Sequence, residues 1–210
     1  MALLRKIMII RRYLSYLAIC MGILLVSSCN KETTLEGDRY FNNGEYKKAI
    51  ESYNEYLKLK PSHVKSIYNR GRSYEELGDF QKAMEDFKRV LEIDDMNIHA
   101  NMSVGMDAYR NGDYPNAVFY FEKSLKADPT NVQALVWRGR AHHRLGQFTE
   151  ALADFDNAVR LDSDNGEAYY YRGIIYLESS VSKACADFSR AENLGVGDAT
   201  KAANIYCKGR

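Results

Sequence analysis

Small and aromatic residues return along this chain at a spacing of 34. Gly37, Gly71, Gly105, Gly139 and Gly173 form one series, Ala49, Ala83, Ala117 and Ala151 a second, and Tyr53, Phe87, Phe121 and Phe155 a third. Another glycine series, Gly44, Gly78, Gly112 and Gly146, runs seven residues behind the first, with Ser180 in its fifth place. Two residues further on stand Tyr46, Phe80, Tyr114 and Phe148. One period held over five copies is the mark of a repeat array. Within a copy the apolar residues, such as Ala83, Phe87 and Val90, keep helical spacing, so the unit predicts two helices. The leading glycine lies inside the first helix. There it costs about 1 kcal/mol against alanine, so it needs a packing reason, and the close approach of a neighbouring helix backbone is the expected one. The trailing glycine predicts a left-handed helix cap. Asp79 and Asp113 are expected to cap the second helices, with Pro115 in a first turn. The fifth copy loses one residue in its turn, so Ala184, Phe188 and Ala191 fall one position early.

This pattern resembles the tetratricopeptide repeat, a 34-residue helical hairpin. The resemblance rests on Gly37, Tyr40, Ala49, Tyr53 and Pro61; on Gly71, Tyr74, Ala83 and Phe87; on Gly105, Ala117, Phe121 and Pro129; and on Gly139, Ala151, Phe155 and Ala158. Asp95 and Ser163 stand where the motif closes on proline. It implies an all-α fold, a right-handed α-solenoid of five hairpins plus a C-terminal capping helix. The expected boundaries are residues 29–194 for the repeats (30–63, 64–97, 98–131, 132–165 and 166–194) and 195–210 for the cap and tail. In that last stretch Asp198 is a candidate N-cap, and Ala199, Ala202, Ala203 and Tyr206 share one helix face that can cover the open end of the array.

In proteins of this kind the first helices line a concave groove. Carried over repeat by repeat, the resemblance makes Tyr68, Arg72, Met102, Met106, Tyr109, Arg110, Val136, Arg140, His143, Arg144 and Tyr170 candidate partner-binding residues. The groove positions of the third and fourth repeats hold arginines, histidines, methionines and a tyrosine but no acid. Arginine offers a planar fork to carboxylates and methionine adapts to irregular apolar shapes. The expected partner is therefore a protein or peptide segment that is acidic or carboxylate-bearing and partly apolar; the alternative is an ordinary solvated face. The clamp by which some relatives grip chaperone tails is absent: its places hold Thr34, Asp38, Asn69, His99 and Ser103, and only Asn69 fits. Trp137 reads as packing within the array.

The first 28 residues read as an export signal. Arg5, Lys6, Arg11 and Arg12 precede an apolar run from Tyr13 to Val26, which suits a signal core and is short for a membrane span. The run ends in Val26-Ser-Ser-Cys29, which resembles the bacterial lipobox and makes Cys29 the candidate lipidation site. An ordinary signal followed by a chance cysteine is the alternative. Several acyl chains would anchor the protein stably, and outer-membrane sorting facing the periplasm is the expected location. Removing those four bases from the total of 29 leaves 25 Lys and Arg against 28 Asp and Glu, which is no surface for nucleic acid. In an oxidising compartment Cys185 and Cys207 are expected to pair, tying the cap to the array; two separately buried thiols are the alternative. His142 and His143 are adjacent, so a helix points them apart and they make no metal pair. No catalytic constellation, cofactor motif or metal site is expected. The leading function is a lipid-anchored interaction scaffold of the cell envelope, and the alternative is an accessory envelope subunit that binds a small ligand or glycan.

Overall fold

The structure is a computed structural model and describes residues 36–207. The export segment and Cys29 lie outside the described residues. Every regular element among the described residues is helical: α1 (described over 36–42), α2 (Tyr46–Leu59), α3 (Val64–Glu76), α4 (Phe80–Ile93), α5 (Ile98–Arg110), α6 (Tyr114–Ala127), α7 (Val132–Arg144), α8 (Phe148–Leu161), α9 (Gly166–Ser179), α10 (Val181–Asn193) and α11 (Gly197–Tyr206). Odd-numbered helices carry the leading glycine and even-numbered helices the aromatic, so α1 to α10 are five hairpins of an α-solenoid. The chain divides into two compact units, one ending at Arg89 and one starting at Val90.

The leading glycine's packing reason differs from the expected one. A Cβ built on Gly37 would stand 2.7 Å from a ring atom of Tyr53, and one on Gly71 would stand 2.8 Å from Phe87. In the second unit the same test meets Phe121 from Gly105, Phe155 from Gly139 and Phe188 from Gly173. An aromatic side chain of the second helix, not a bare helix backbone, fills the space. These aromatics are fully buried. Each hairpin is thus closed by a ring lying where a side chain would have been.

The trailing glycines do adopt the left-handed conformation, with φ from 74° to 79° at Gly44, Gly78, Gly112 and Gly146. The amide three places past each helix then reaches back to close its last turn, as Asp79 N to Tyr74 O (2.9 Å) and Asp113 N to Ala108 O (2.9 Å). The fifth hairpin replaces this device with one residue. Ser180 is extended, ends α9, and caps α10 by accepting from Lys183 N. That substitution is why the register of Ala184 and Phe188 slips by one. Asp79 and Asp113 cap their helices, and Pro115 sits in the first turn of α6. Helices α5, α7 and α9 are capped by Asn97, Asn131 and Asn165, each accepting from the amide three residues on.

A second device, built from charge, joins the paired helices. Arg70 donates from Nε to Asp86 (2.8 Å), Arg138 to Asp154 (2.9 Å) and Arg172 to Asp187 (2.8 Å), and all three carboxylates are buried. Two of these guanidiniums also look back one repeat. Arg70 reaches Asn54 at 2.7 Å, and Arg172 reaches Asp156 at 2.7 Å. The third repeat has neither partner: Val104 and Tyr120 take the two places.

At the carboxyl end Ala199, Ala202 and Ala203 are buried, and α11 packs on α10. Cys185 and Cys207 are joined as a disulfide, with Cα atoms 5.7 Å apart. Two expectations for this helix need correction. Asp198 lies inside its first turn, where the dipole favours an acid, and pairs with Lys201; Val196 is the N-cap. Tyr206 is exposed and does not join the buried face of Ala199, Ala202 and Ala203.

Candidate functional site

In the second unit α7 touches both α5 and α9, so the three first helices present one shared face. Arg140, midway along α7, lies at the centre of an aromatic clasp. Its guanidinium carbon is 4.0 Å from the Trp137 ring centre, 4.6 Å from that of Tyr171 and 5.2 Å from that of Tyr109. Tyr109 in turn meets Trp137 edge to face, centroids 5.3 Å apart. Arg140 Nε is buried and donates to no protein acceptor, and Arg140 makes no ion pair among the described residues. Arg144, one turn further, lies 4.9 Å over the ring of Tyr114. His143 packs against Phe148, and burial, followed by the neighbouring Arg144, holds its pKa below the usual histidine value. Met106 and Tyr109 are half-buried against the core, Arg110 is exposed beside Asp107, and Tyr170 packs on Phe188.

Two residues assigned to this face belong elsewhere. Met102 is 6% exposed and Val136 3%, and both are members of the core cluster built around Phe121 and Phe155. Apolar side chains at the edge of the helix face gain more by turning into the seam than by facing water. The clasp also uses two rings that the assignment left out, Trp137 and Tyr171. Trp137 does pack against Phe121, but it holds Arg140 as well.

The first unit is arranged differently. Tyr68 packs on Phe87, and Arg72 is engaged by Glu75 at 3.1 Å and Glu76 at 3.5 Å. Asp38 accepts from Lys65 Nζ (2.6 Å), Tyr53 Oη (2.8 Å) and Asn69 Nδ2 (2.9 Å). Burial pushes the Asp38 carboxyl up, but these three donors outweigh it and hold the group below the usual aspartate value. Arg72 Nε is buried without a hydrogen-bond acceptor, as Arg140 Nε is, but Arg72 and Lys65 are ion-paired with acids of the same unit and Arg140 is not.

Beside the clasp is an open cleft of about 580 Å³, formed by the start of α7, the turn from α8 to α9 and the turn from α10 to α11. Val132, Val136 and Trp137 supply one wall, Leu194 and Val196 another, and Asp162, Asp164 and Glu167 its charge. Among the described residues no group of His, Cys, Asp and Glu could hold a metal ion, and no helix is long and apolar enough to cross a membrane.

The tetratricopeptide repeat family model matches residues 34–97, 105–165 and 144–191. No curated protein matches the chain. Among solved structures, MamA (residues 41 to the end) from Desulfovibrio magneticus RS-1 is similar with a TM-score of 0.71 at 20% identity, covering 79% of this chain and 94% of that one. YrrB, described as a TPR protein with an unusual peptide-binding site, is similar with a TM-score of 0.70 at 19% identity, covering 82% and 90%.

Proposed function

Because this chain belongs to the tetratricopeptide repeat family, we propose that it is a lipid-anchored protein–protein interaction scaffold of a bacterial cell envelope, which seats a carboxylate-bearing partner segment on the face of α5, α7 and α9. The observation that carries this reading is Arg140. A guanidinium held among three rings, with a buried N–H that meets no protein acceptor, is an incomplete site. A partner carboxylate would meet the accessible N–H groups of this guanidinium, which no carboxylate of the described residues pairs, and the rings fix the fork that receives it. Half-buried Met106 and Tyr109 beside it suit apolar side chains of the same segment. A relative described by its peptide-binding site supports a peptide partner.

The anchor is a diacylglycerol thioether on Cys29, motivated by Val26-Ser-Ser-Cys29, and the location is the periplasmic face of the outer membrane. The disulfide between Cys185 and Cys207 supports an oxidising compartment. Metabolic labelling with a radioactive fatty acid tests the anchor: label is expected on the parent and lost in Cys29→Ala, and a parent without label refutes it. Binding is tested with apolar synthetic peptides ending in a free carboxylate or in an amide. The free acid is expected to bind about tenfold or more tightly, since hydrogen bonds to charged groups contribute ~1.5–3 kcal/mol. Arg140→Ala should erase that preference. Equal binding of acid and amide by the parent overturns the reading.

A further inference from the structure

The cleft beside Arg140 carries a sign of charge opposite to the clasp. Its lining holds three carboxylates, Asp162, Asp164 and Glu167, and no lysine, arginine or histidine. Arg190 pairs with Asp164 at 2.9 Å, and Asp162 accepts from Asp164 N at 3.0 Å. Glu167, in the first turn of α9, is exposed. The remaining walls are aliphatic side chains, the indole of Trp137 and the side-chain amides of Gln133 and Asn165. That same indole lies under the Arg140 guanidinium. The cleft and the clasp are therefore two compartments that share one ring.

We propose that the cleft is a second subsite for the partner segment, which receives a lysine or arginine side chain of the bound peptide. The aliphatic stem of such a side chain covers Val132, Leu194 and Val196, while its head stays at the wet, acidic rim. This is how long basic side chains divide themselves between apolar and polar surroundings. An acidic side chain would be repelled there, so the two subsites fix the direction of the peptide: carboxylate at Arg140, cation at Glu167 and Asp162. In an extended chain the two groups then fall within a few residues of each other. This inference rests on the peptide-binding reading but uses different residues, so either can fail without the other.

The experiment uses detergent-solubilised full-length protein and apolar peptides that differ at one position, lysine against its uncharged isostere norleucine, each as free acid and as amide. Trp137 is the sole tryptophan of the chain, so its emission reports on both subsites without a label. The lysine peptide is expected to bind about two- to fivefold more tightly than the norleucine peptide, the range of a solvent-exposed ion pair. That advantage should shrink as salt is raised. Glu167→Gln combined with Asp162→Asn should abolish it and leave the preference for the free acid intact. Arg140→Ala should do the reverse. Equal binding of lysine and norleucine peptides overturns the cleft proposal even where the acid preference persists. Full competition by n-butylamine at the concentration of the lysine peptide also overturns it, because the cleft would then take a small amine and not a chain.

Discussion

Replacing Gly105 with alanine tests the packing rule that organises every hairpin. In an exposed helix the change would stabilise by about 1 kcal/mol. Here the new methyl would stand 2.7 Å from Phe121 Cε1, 3.0 Å from Cδ1 and 3.1 Å from Cζ. Carbon atoms prefer about 3.5–4.0 Å, so the ring must retreat by most of an ångström. It has little room, because Phe121 is fully buried and stacks against Trp137, centroids 6.3 Å apart. Overpacking of this kind costs about 1–3 kcal/mol. Set against the helix gain, the expected net loss is about 0–2 kcal/mol, or about 2–4 °C in melting temperature per kcal/mol for a chain of this size. Circular dichroism and Trp137 emission in urea would measure it. Phe121→Leu made in the Gly105→Ala background should recover part of the loss, with a coupling energy near 1 kcal/mol. Gly112→Ala serves as control: it strains a residue at φ 79° with nothing within 4 Å, and should not couple to Phe121. A Gly105→Ala protein that melts above the parent, or a coupling below about 0.3 kcal/mol, would refute the rule.

Three further outcomes follow from the charge pairs and the disulfide. Arg138→Met should destabilise by about 2–4 kcal/mol in urea melts, because Asp154 is left buried without its partner; adding Asp154→Tyr to Arg138→Val, which copies Val104 and Tyr120 of the third repeat, should restore most of it. Reduction of the Cys185–Cys207 bridge, a sequence separation of 22, should cost about 3 kcal/mol on the chain-entropy account and should be felt first in α11, read as faster hydrogen exchange over 197–206. Asp38 has a pKa depressed in the folded protein, so its contribution is present above the unfolded value and is lost as pH falls through the folded one. Asp38→Asn should flatten the acid limb of stability against pH, and an unchanged limb would exclude the Lys65, Tyr53 and Asn69 network as its source.

How far the fold could be read from the residues depended on whether a feature repeated and on whether it was apolar. The glycines, alanines and aromatics recur at 34, and so the hairpins, their left-handed caps and the shortened fifth turn were all legible. The Asn97, Asn131 and Asn165 caps share that spacing but were overshadowed by the acids beside them. The Arg–Asp pairs were written in the chain as Arg-Gly and Asp-Phe dipeptides at 70–71 and 86–87, 138–139 and 154–155, and 172–173 and 187–188. They escaped because a charged residue on a helix is normally solvated. The informative sign was their joint absence from the first and third copies, where Glu36 and Ser52, and Val104 and Tyr120, replace both partners.

The same distinction governs the site. Absence of acids from the groove positions of the third and fourth repeats was visible as composition, but composition does not say which cation is free to act. Lys65 is held by Asp38, and Arg72 by Glu75 and Glu76, so an incoming carboxylate there must compete with one already in place. Arg140 meets only rings, and a ring face stabilises a cation without occupying its N–H edge. Two of those three rings, Trp137 and Tyr171, lie off the expected groove positions, because a residue beside the stripe can still lean over it from a neighbouring turn or helix. On the proposed reading, the place of a partner is therefore set by the difference between a cation matched by an acid and one matched by an aromatic face, and that difference exists only once the helices are packed.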